Sequence, residues 1–117
     1  MTISPAAWAM LEDQLQENVR TLCKQLRLPV QHVYDARKCW LIGWPDLVII
    51  GPGGILFREL KKEGENPTPA QWKVGRLLTD AGADWGVWRP ADLLDGTIGR
   101  QLAAIAAHPV LPMEGIA

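Results

Sequence analysis

Gly51-Pro52-Gly53-Gly54 stands between two short apolar runs, Leu47 to Ile50 and Ile55 to Leu60, and no other stretch restricts the fold so tightly. Gly and Pro in this order mark a tight turn, and apolar runs on either side make that turn a β-hairpin. Centring the turn on Pro52-Gly53 sets Gly51 opposite Gly54 and Ile50 opposite Ile55. Counting outward, Asp46 then faces Glu59. Directly opposed side chains hold their Cβ atoms roughly 4.5–5.5 Å apart. Two carboxylates at that spacing repel, and a divalent cation is the economical way to offset the repulsion, since hard cations take oxygen ligands. Side chains alternate along a strand, so Lys61 shares a face with Glu59, Phe57 and Ile55. That face is apolar near the turn and charged at its far end. For Glu59 alone, a strand simply emerging into solvent is the better explanation of the charge.

The flanking segments read as helices and strands in a mixed order. Ser4 and Pro5 suit an N-cap and a first helical position, and Trp8, Leu15, Val19, Leu22 and Leu26 follow at helical spacing. This predicts one helix from Pro5 to about Arg27, stopped by Pro29. Glu12 interrupts its apolar stripe. The helix dipole and partial exposure account for one such acid. Three acids and a lysine, each where the local pattern breaks, are harder to explain separately. Val30 to Tyr34 reads as a strand, and Asp35 to Trp44 as a loop carrying Arg37 and Lys38. Thr68-Pro69-Ala70-Gln71 is a second helix start with a capping box. That helix runs to about Ala81, where Gly82 stops it. Trp85 to Trp88 reads as a further strand, and Ile98, Leu102 and Ile105 space out a last helix ended by His108-Pro109. The fold class is α/β: a central mixed β-sheet, with the hairpin carrying the site, flanked by helices.

The 117 residues are 48% hydrophobic and 21% charged, a globular composition with no low-complexity tract. The expectation is a single domain over 1–117, with a core at about 4–108 and a tail at 109–117. No apolar run reaches the ~20 residues of a membrane helix, and no secretion signal is visible, so a cytoplasmic protein is expected. Cys23, Cys39, His32 and His108 are scattered, which argues against zinc. The formal charge of −1 argues against a protein that coats DNA without specificity. Of six tryptophans, Trp8, Trp72, Trp85 and Trp88 fit core packing. Trp40 and Trp44 either stack on bases or shield the core.

Gly43-Trp44-Pro45-Asp46-Leu47, Glu59-Leu60-Lys61 and Gln71 together resemble the VRR-NUC branch of the PD-(D/E)XK nuclease superfamily. The resemblance runs from about Glu12 to Asp92. It takes in Glu12 with Leu15 and Gln16, then Ala81-Gly82 and Val87-Trp88-Arg89-Pro90. It implies a restriction-endonuclease-like core. It also implies metal ligation by Glu12, Asp46, Glu59 and the backbone carbonyl of Leu60. Lys61 would position or activate water, and Gln71 would stand at the mouth of the site, a role compatible with its capping box. One stretch departs from the family pattern: a basic, serine-rich loop is replaced by Arg37-Lys38-Cys39-Trp40-Leu41-Ile42.

The resemblance implies a Mg²⁺- or Mn²⁺-dependent endodeoxyribonuclease leaving a 5′-phosphate, with no small-molecule cofactor. Its small stand-alone members resemble Holliday-junction resolvases, so branched DNA and a homodimer are expected. A DNA-binding rim of Arg37, Lys38, Lys62, Lys73 and Arg76 is expected too. Trp40, Leu41 and Ile42 in the loop, and Val110, Leu111 and Ile116 in the tail, are an apolar excess suited to a dimer contact. The competing readings are a restriction-like or end-processing nuclease, and a non-catalytic DNA-binding or assembly protein on a nuclease fold.

Overall fold

A computed structural model describes residues 2–107. Its first helix, α1 (Pro5–Ala9), starts as its sequence dictates: the Ser4 hydroxyl accepts the Ala7 N–H at 3.2 Å, and Pro5 occupies the first turn. It does not continue to Arg27. Met10 and Leu11 are extended, and α2 (Glu12–Gln25) begins anew. The Gln14 side chain accepts the Leu11 N–H at 2.8 Å, and Glu12 and Asp13 sit in the first turn, where the helix dipole favours acids. Trp8 thereby leaves the stripe of Leu15, Val19 and Cys23 and stands half-exposed over Gly64. At the other end, Arg27 adopts a left-handed φ of 56°, and the Leu28 N–H bonds the Cys23 carbonyl at 2.8 Å, closing the helix.

The sheet has the order β1-β2-β3-β4, with β1 (Val30–His32), β2 (Leu47–Gly51), β3 (Gly54–Leu60) and β4 (Asp84–Trp88). The first three strands are antiparallel, and β4 runs parallel to β3. The hairpin register is the expected one, with Gly51 opposite Gly54 and Ile50 opposite Ile55. Helix α3 (Pro69–Asp80) supplies the crossover between the parallel strands. Two features exceed what the sequence signals suggested. A five-residue helix, α4 (Pro90–Leu94), follows β4, its Ala91 N–H held by the Glu63 carboxylate at 2.7 Å. The loop after β1 contains a 3-10 turn at Ala36–Lys38.

One face of the sheet carries Leu47, Ile49, Leu56, Leu60 and Trp88. These form the main core with Leu15, Val19 and Cys23 of α2 and with Ile98, Leu102 and Ile105 of α5 (Thr97–Ala106). Cys23 is a buried free thiol, and burial pushes its pKa up to about 11. The turn is fixed to α5: the Gly53 N–H bonds the Ile105 carbonyl at 2.8 Å, and a Cβ on Gly51 would fall 2.3 Å from that oxygen. The second face is covered by α3, which approaches β4 so closely that a Cβ on Gly75 would lie 2.4 Å from the Trp85 ring. Among the described residues, no helix is long and apolar enough to cross a membrane. His108, Pro109 and the tail residues expected at a dimer contact lie outside the described residues.

Candidate active site

Extending the ladder one step past the Leu47–Arg58 pair brings Asp46 beside Glu59. Asp46 is fixed from both sides. Its backbone carbonyl accepts the Val33 N–H at 2.9 Å, and its side chain accepts the Leu60 N–H at 2.8 Å. Glu59 is only 1% exposed. One of its oxygens, Oε1, accepts a hydrogen bond from Gln71 Nε2 at 2.9 Å; the other, Oε2, is buried and has no hydrogen-bond partner among the described residues. Its pKa is pushed up to about 9, first by burial, then by contact with the Asp46 carboxyl and by that group's charge. Two carboxylates cannot bond each other without a shared proton or a cation between them.

Glu12 enters from the first turn of α2, a position created by the break at Met10–Leu11. Its pKa is raised, first by burial and then by the charge of Asp46. Lys61 is half-buried, and its charge lowers the pKa of both Glu12 and Glu59, which brings it within electrostatic reach of both acids. Asp46 and Glu59 thus make a two-carboxylate core with Glu12 and Lys61 around it. Among the described residues, no three Asp, Glu, His or Cys side chains close into a finished metal cage. The donor set is all oxygen, and a buried bare carboxylate oxygen lies at its centre, which suits a hard divalent cation.

Gln71 holds both roles suggested by its sequence context. Its Oε1 accepts the Thr68 N–H at 2.8 Å, its own N–H bonds the Thr68 hydroxyl, and its Nε2 reaches Glu59. The loop before Asp46 braces this helix start, since a Cβ on Gly43 would fall 2.3 Å from the Ala70 carbonyl oxygen.

The expected DNA-binding residues are spread out. Arg37 is engaged by Asp35, which accepts from its backbone N–H and from its guanidinium at 3.0 and 3.1 Å. Lys38 is exposed, Lys62 is half-buried, and Lys73 and Arg76 are exposed on α3. Trp72, expected in the core, is half-exposed; it meets the Trp85 ring edge-on at a centroid distance of 5.6 Å. Trp44 packs edge-on against Phe57, which favours shielding of the sheet, while Trp40 is fully exposed.

Two features were not read from the sequence. Arg58 is buried on the opposite face, bonded to the Asp84 carbonyl and carboxylate and to Gln101. Glu12, Gln16 and Arg20 fall at successive four-residue intervals on α2, a polar line beside the apolar stripe that the spacing alone would have revealed.

No family model matches the chain, and no curated protein sequence does. Solved structures do. One described as a "VRR_NUC domain" shares 28% identity with a TM-score of 0.64, over 75% of this chain and 94% of its own. Another, a "VRR_NUC domain protein", shares 25% identity with a TM-score of 0.65, over 86% of this chain and 94% of its own. The mixed four-stranded sheet with its flanking helices is the restriction-endonuclease-like arrangement of these neighbours. In fold, this chain is similar to these VRR-NUC domain proteins over most of its length.

Proposed function

We propose that this domain is a divalent-metal-dependent nuclease that hydrolyses DNA phosphodiester bonds, with Asp46, Glu59 and Glu12 as its acids. The observation that carries this reading is the buried Glu59 Oε2, without a hydrogen-bond partner among the described residues and beside a second carboxylate. A fold seldom leaves such a group bare without a use for it. The three acids and the Leu60 carbonyl would hold Mg²⁺ or Mn²⁺. The ion supplies Lewis acidity to the scissile phosphate and to the attacking water.

The remaining work falls to the chain. Gln71 fixes one oxygen of Glu59, so the other keeps its direction toward Asp46. The Leu60 N–H fixes Asp46 in the same way. Lys61 orients the water and offsets negative charge growing on the phosphate oxygens. The water oxygen bonds to phosphorus, the bond to the 3′ oxygen breaks, and a 5′-phosphate and a 3′-hydroxyl remain. Branched DNA is the substrate class we assign, and a homodimer the assembly. Trp40, Leu41 and Ile42 are exposed together in one loop, an apolar surface suited to a second copy.

The test is cleavage of four-way junctions, flaps, splayed arms and plain duplex in Mg²⁺, Mn²⁺ or EDTA. Asp46→Ala and Lys61→Ala should both abolish metal-dependent cleavage. In calorimetry with Mn²⁺, Asp46→Ala should lose binding, and Lys61→Ala should keep it. Equal loss in both would contradict the assigned roles, and cleavage of nothing by the unaltered protein would favour a non-catalytic role. Light scattering should give a dimer mass; a monomer at tens of micromolar would remove the constitutive dimer.

A further inference from the structure

We infer that the groove between α2 and β1 receives one unpaired nucleotide of the strand being cut, its phosphate on Arg20 and its base against Tyr34. The inference rests on the nuclease reading above and specifies its substrate. The groove is a cavity of about 270 Å³, lined by Gln16, Arg20, His32 and Tyr34 over a floor of Val30 and Leu47.

Its position ties it to the acids. Gln16 lies one helical turn from Glu12, a rise of about 6 Å, and Arg20 one turn further. The Leu47 and Asp46 side chains point to opposite faces of the sheet, so the connection runs along α2 through Glu12, which lies within electrostatic reach of Asp46. A strand leaving Glu12 along α2 would enter this groove next, past Gln16 and Arg20.

Its chemistry is that of a nucleotide site. Tyr34 is 93% exposed, so its ring contributes nothing to the core. It meets the His32 ring edge-on at a centroid distance of 4.5 Å, which gives the groove an aromatic wall. Stacking a base on such a ring contributes about 1–3 kcal/mol. Among the described residues, Arg20 has one ionic contact, 3.7 Å to Glu17 with both side chains largely in solvent, a pair too weak to hold the guanidinium from a phosphate. The Gln16 amide can donate to and accept from a base edge.

Its size sets the selectivity. Small-ligand pockets run to about 300–1,000 Å³, and this cavity of about 270 Å³ falls just below that range, room for a single nucleotide and none for a duplex. A paired base would have to leave its stack, at a cost of a few kcal/mol. A base already unpaired beside a branch or flap enters without that cost. The groove thus gives a physical reason for preferring DNA that is unpaired next to the cut.

The experiment uses the full chain in Ca²⁺, to bind without cutting, and a short single-stranded DNA carrying 2-aminopurine. Stacking should quench its fluorescence. Tyr34→Ala should abolish the quench, Tyr34→Phe should restore it, and Arg20→Ala should weaken binding about tenfold. In Mg²⁺, two substrates differing only in whether the nucleotide beside the cut is paired should be cleaved at rates at least about tenfold apart, and Tyr34→Ala should bring that ratio toward one. No quench with the unaltered protein, or a quench unchanged in Tyr34→Ala and Arg20→Ala, would overturn the groove assignment. Quenching that persists while no DNA is cut in Mg²⁺ or Mn²⁺ would instead defeat the nuclease reading and leave the groove standing.

Discussion

Arg58 and Glu59 are neighbours on β3, both buried, at 4% and 1% exposure, and they point to opposite faces of the sheet. Arg58 is satisfied. It donates to the carbonyls of Phe57 and Asp84, to the Asp84 carboxylate and to Gln101, and its guanidinium lies 5.2 Å from the Trp88 ring centroid. Burial lowers its pKa, and Asp84 counters that. Glu59 has Gln71 on one oxygen, no hydrogen-bond donor among the described residues on the other, and a second carboxylate beside it. A buried charge with a full set of partners is part of the fold. One left short of partners next to a like charge stores a cost that only a proton or a cation relieves. Burial does not distinguish the two residues; satisfaction does.

The largest expected effect breaks this pair apart. Glu59→Gln should reduce metal-dependent cleavage at least about a hundredfold, since even outer-shell partners of a metal site cost 10- to 100-fold. The same change should stabilise the metal-free fold, because the amide can donate to Asp46. Arg58→Met should do the reverse, keeping Mn²⁺ binding and losing about 1.5–3 kcal/mol of stability with its charged hydrogen bonds. Chemical denaturation and cleavage of both variants check this. A stability loss in Glu59→Gln would mean that Glu59 belongs with Arg58 as a structural charge.

Proton uptake gives the next test. The Glu59 pKa rises from an ordinary 4.5 to about 9 on folding, so between those values the metal-free folded state holds a proton that the unfolded chain lacks. This contribution is complete below about pH 4.5 and is lost as pH rises toward about 9, with a slope of at most about 1.4 kcal/mol per pH unit. Denaturation midpoints of the metal-free protein should therefore fall from pH 5 to pH 9, and Glu59→Gln should flatten that dependence. Midpoints that rise over the same interval would contradict the assignment.

A smaller effect separates the faces. Gly75→Ala sets a Cβ against the Trp85 ring and pushes α3 outward, at a cost of about 1–3 kcal/mol. Gln71 moves with that helix, so cleavage should fall as well. Unchanged activity in a destabilised variant would show that Gln71 need not hold Glu59. The smallest effect concerns Arg58's partner. The Asp84 side chain is 62% exposed, and Asp84→Asn keeps an acceptor for the guanidinium, so its cost should stay below about 1 kcal/mol in denaturation. A larger loss would mean that the charge of Asp84, and not only its oxygens, holds Arg58.

The hairpin register and the start of α3 are written in local residue order. That register fixes which acids oppose each other. Gly51-Pro52-Gly53-Gly54 and Thr68-Pro69-Ala70-Gln71 act through bonds made within a few residues, and alternation carried the register outward to Asp46 and Glu59. Which of the two adjacent charges is satisfied depends on long-range packing. Arg58 finds Asp84 and Gln101, 26 and 43 residues away, and Glu59 finds Gln71 only because α3 closes on β4 at Gly75. The break in the first helix is of the same kind. An unbroken apolar stripe fits helix propensity equally well, and the break that sets Glu12 at a helix start is marked only by a Gln14 cap and two first-turn acids. Local codes fix spacing and direction, because their partners lie a turn or a strand pair away. Burial and satisfaction are set by segments far apart in the chain, and in this domain they make an acid pair into a candidate active site.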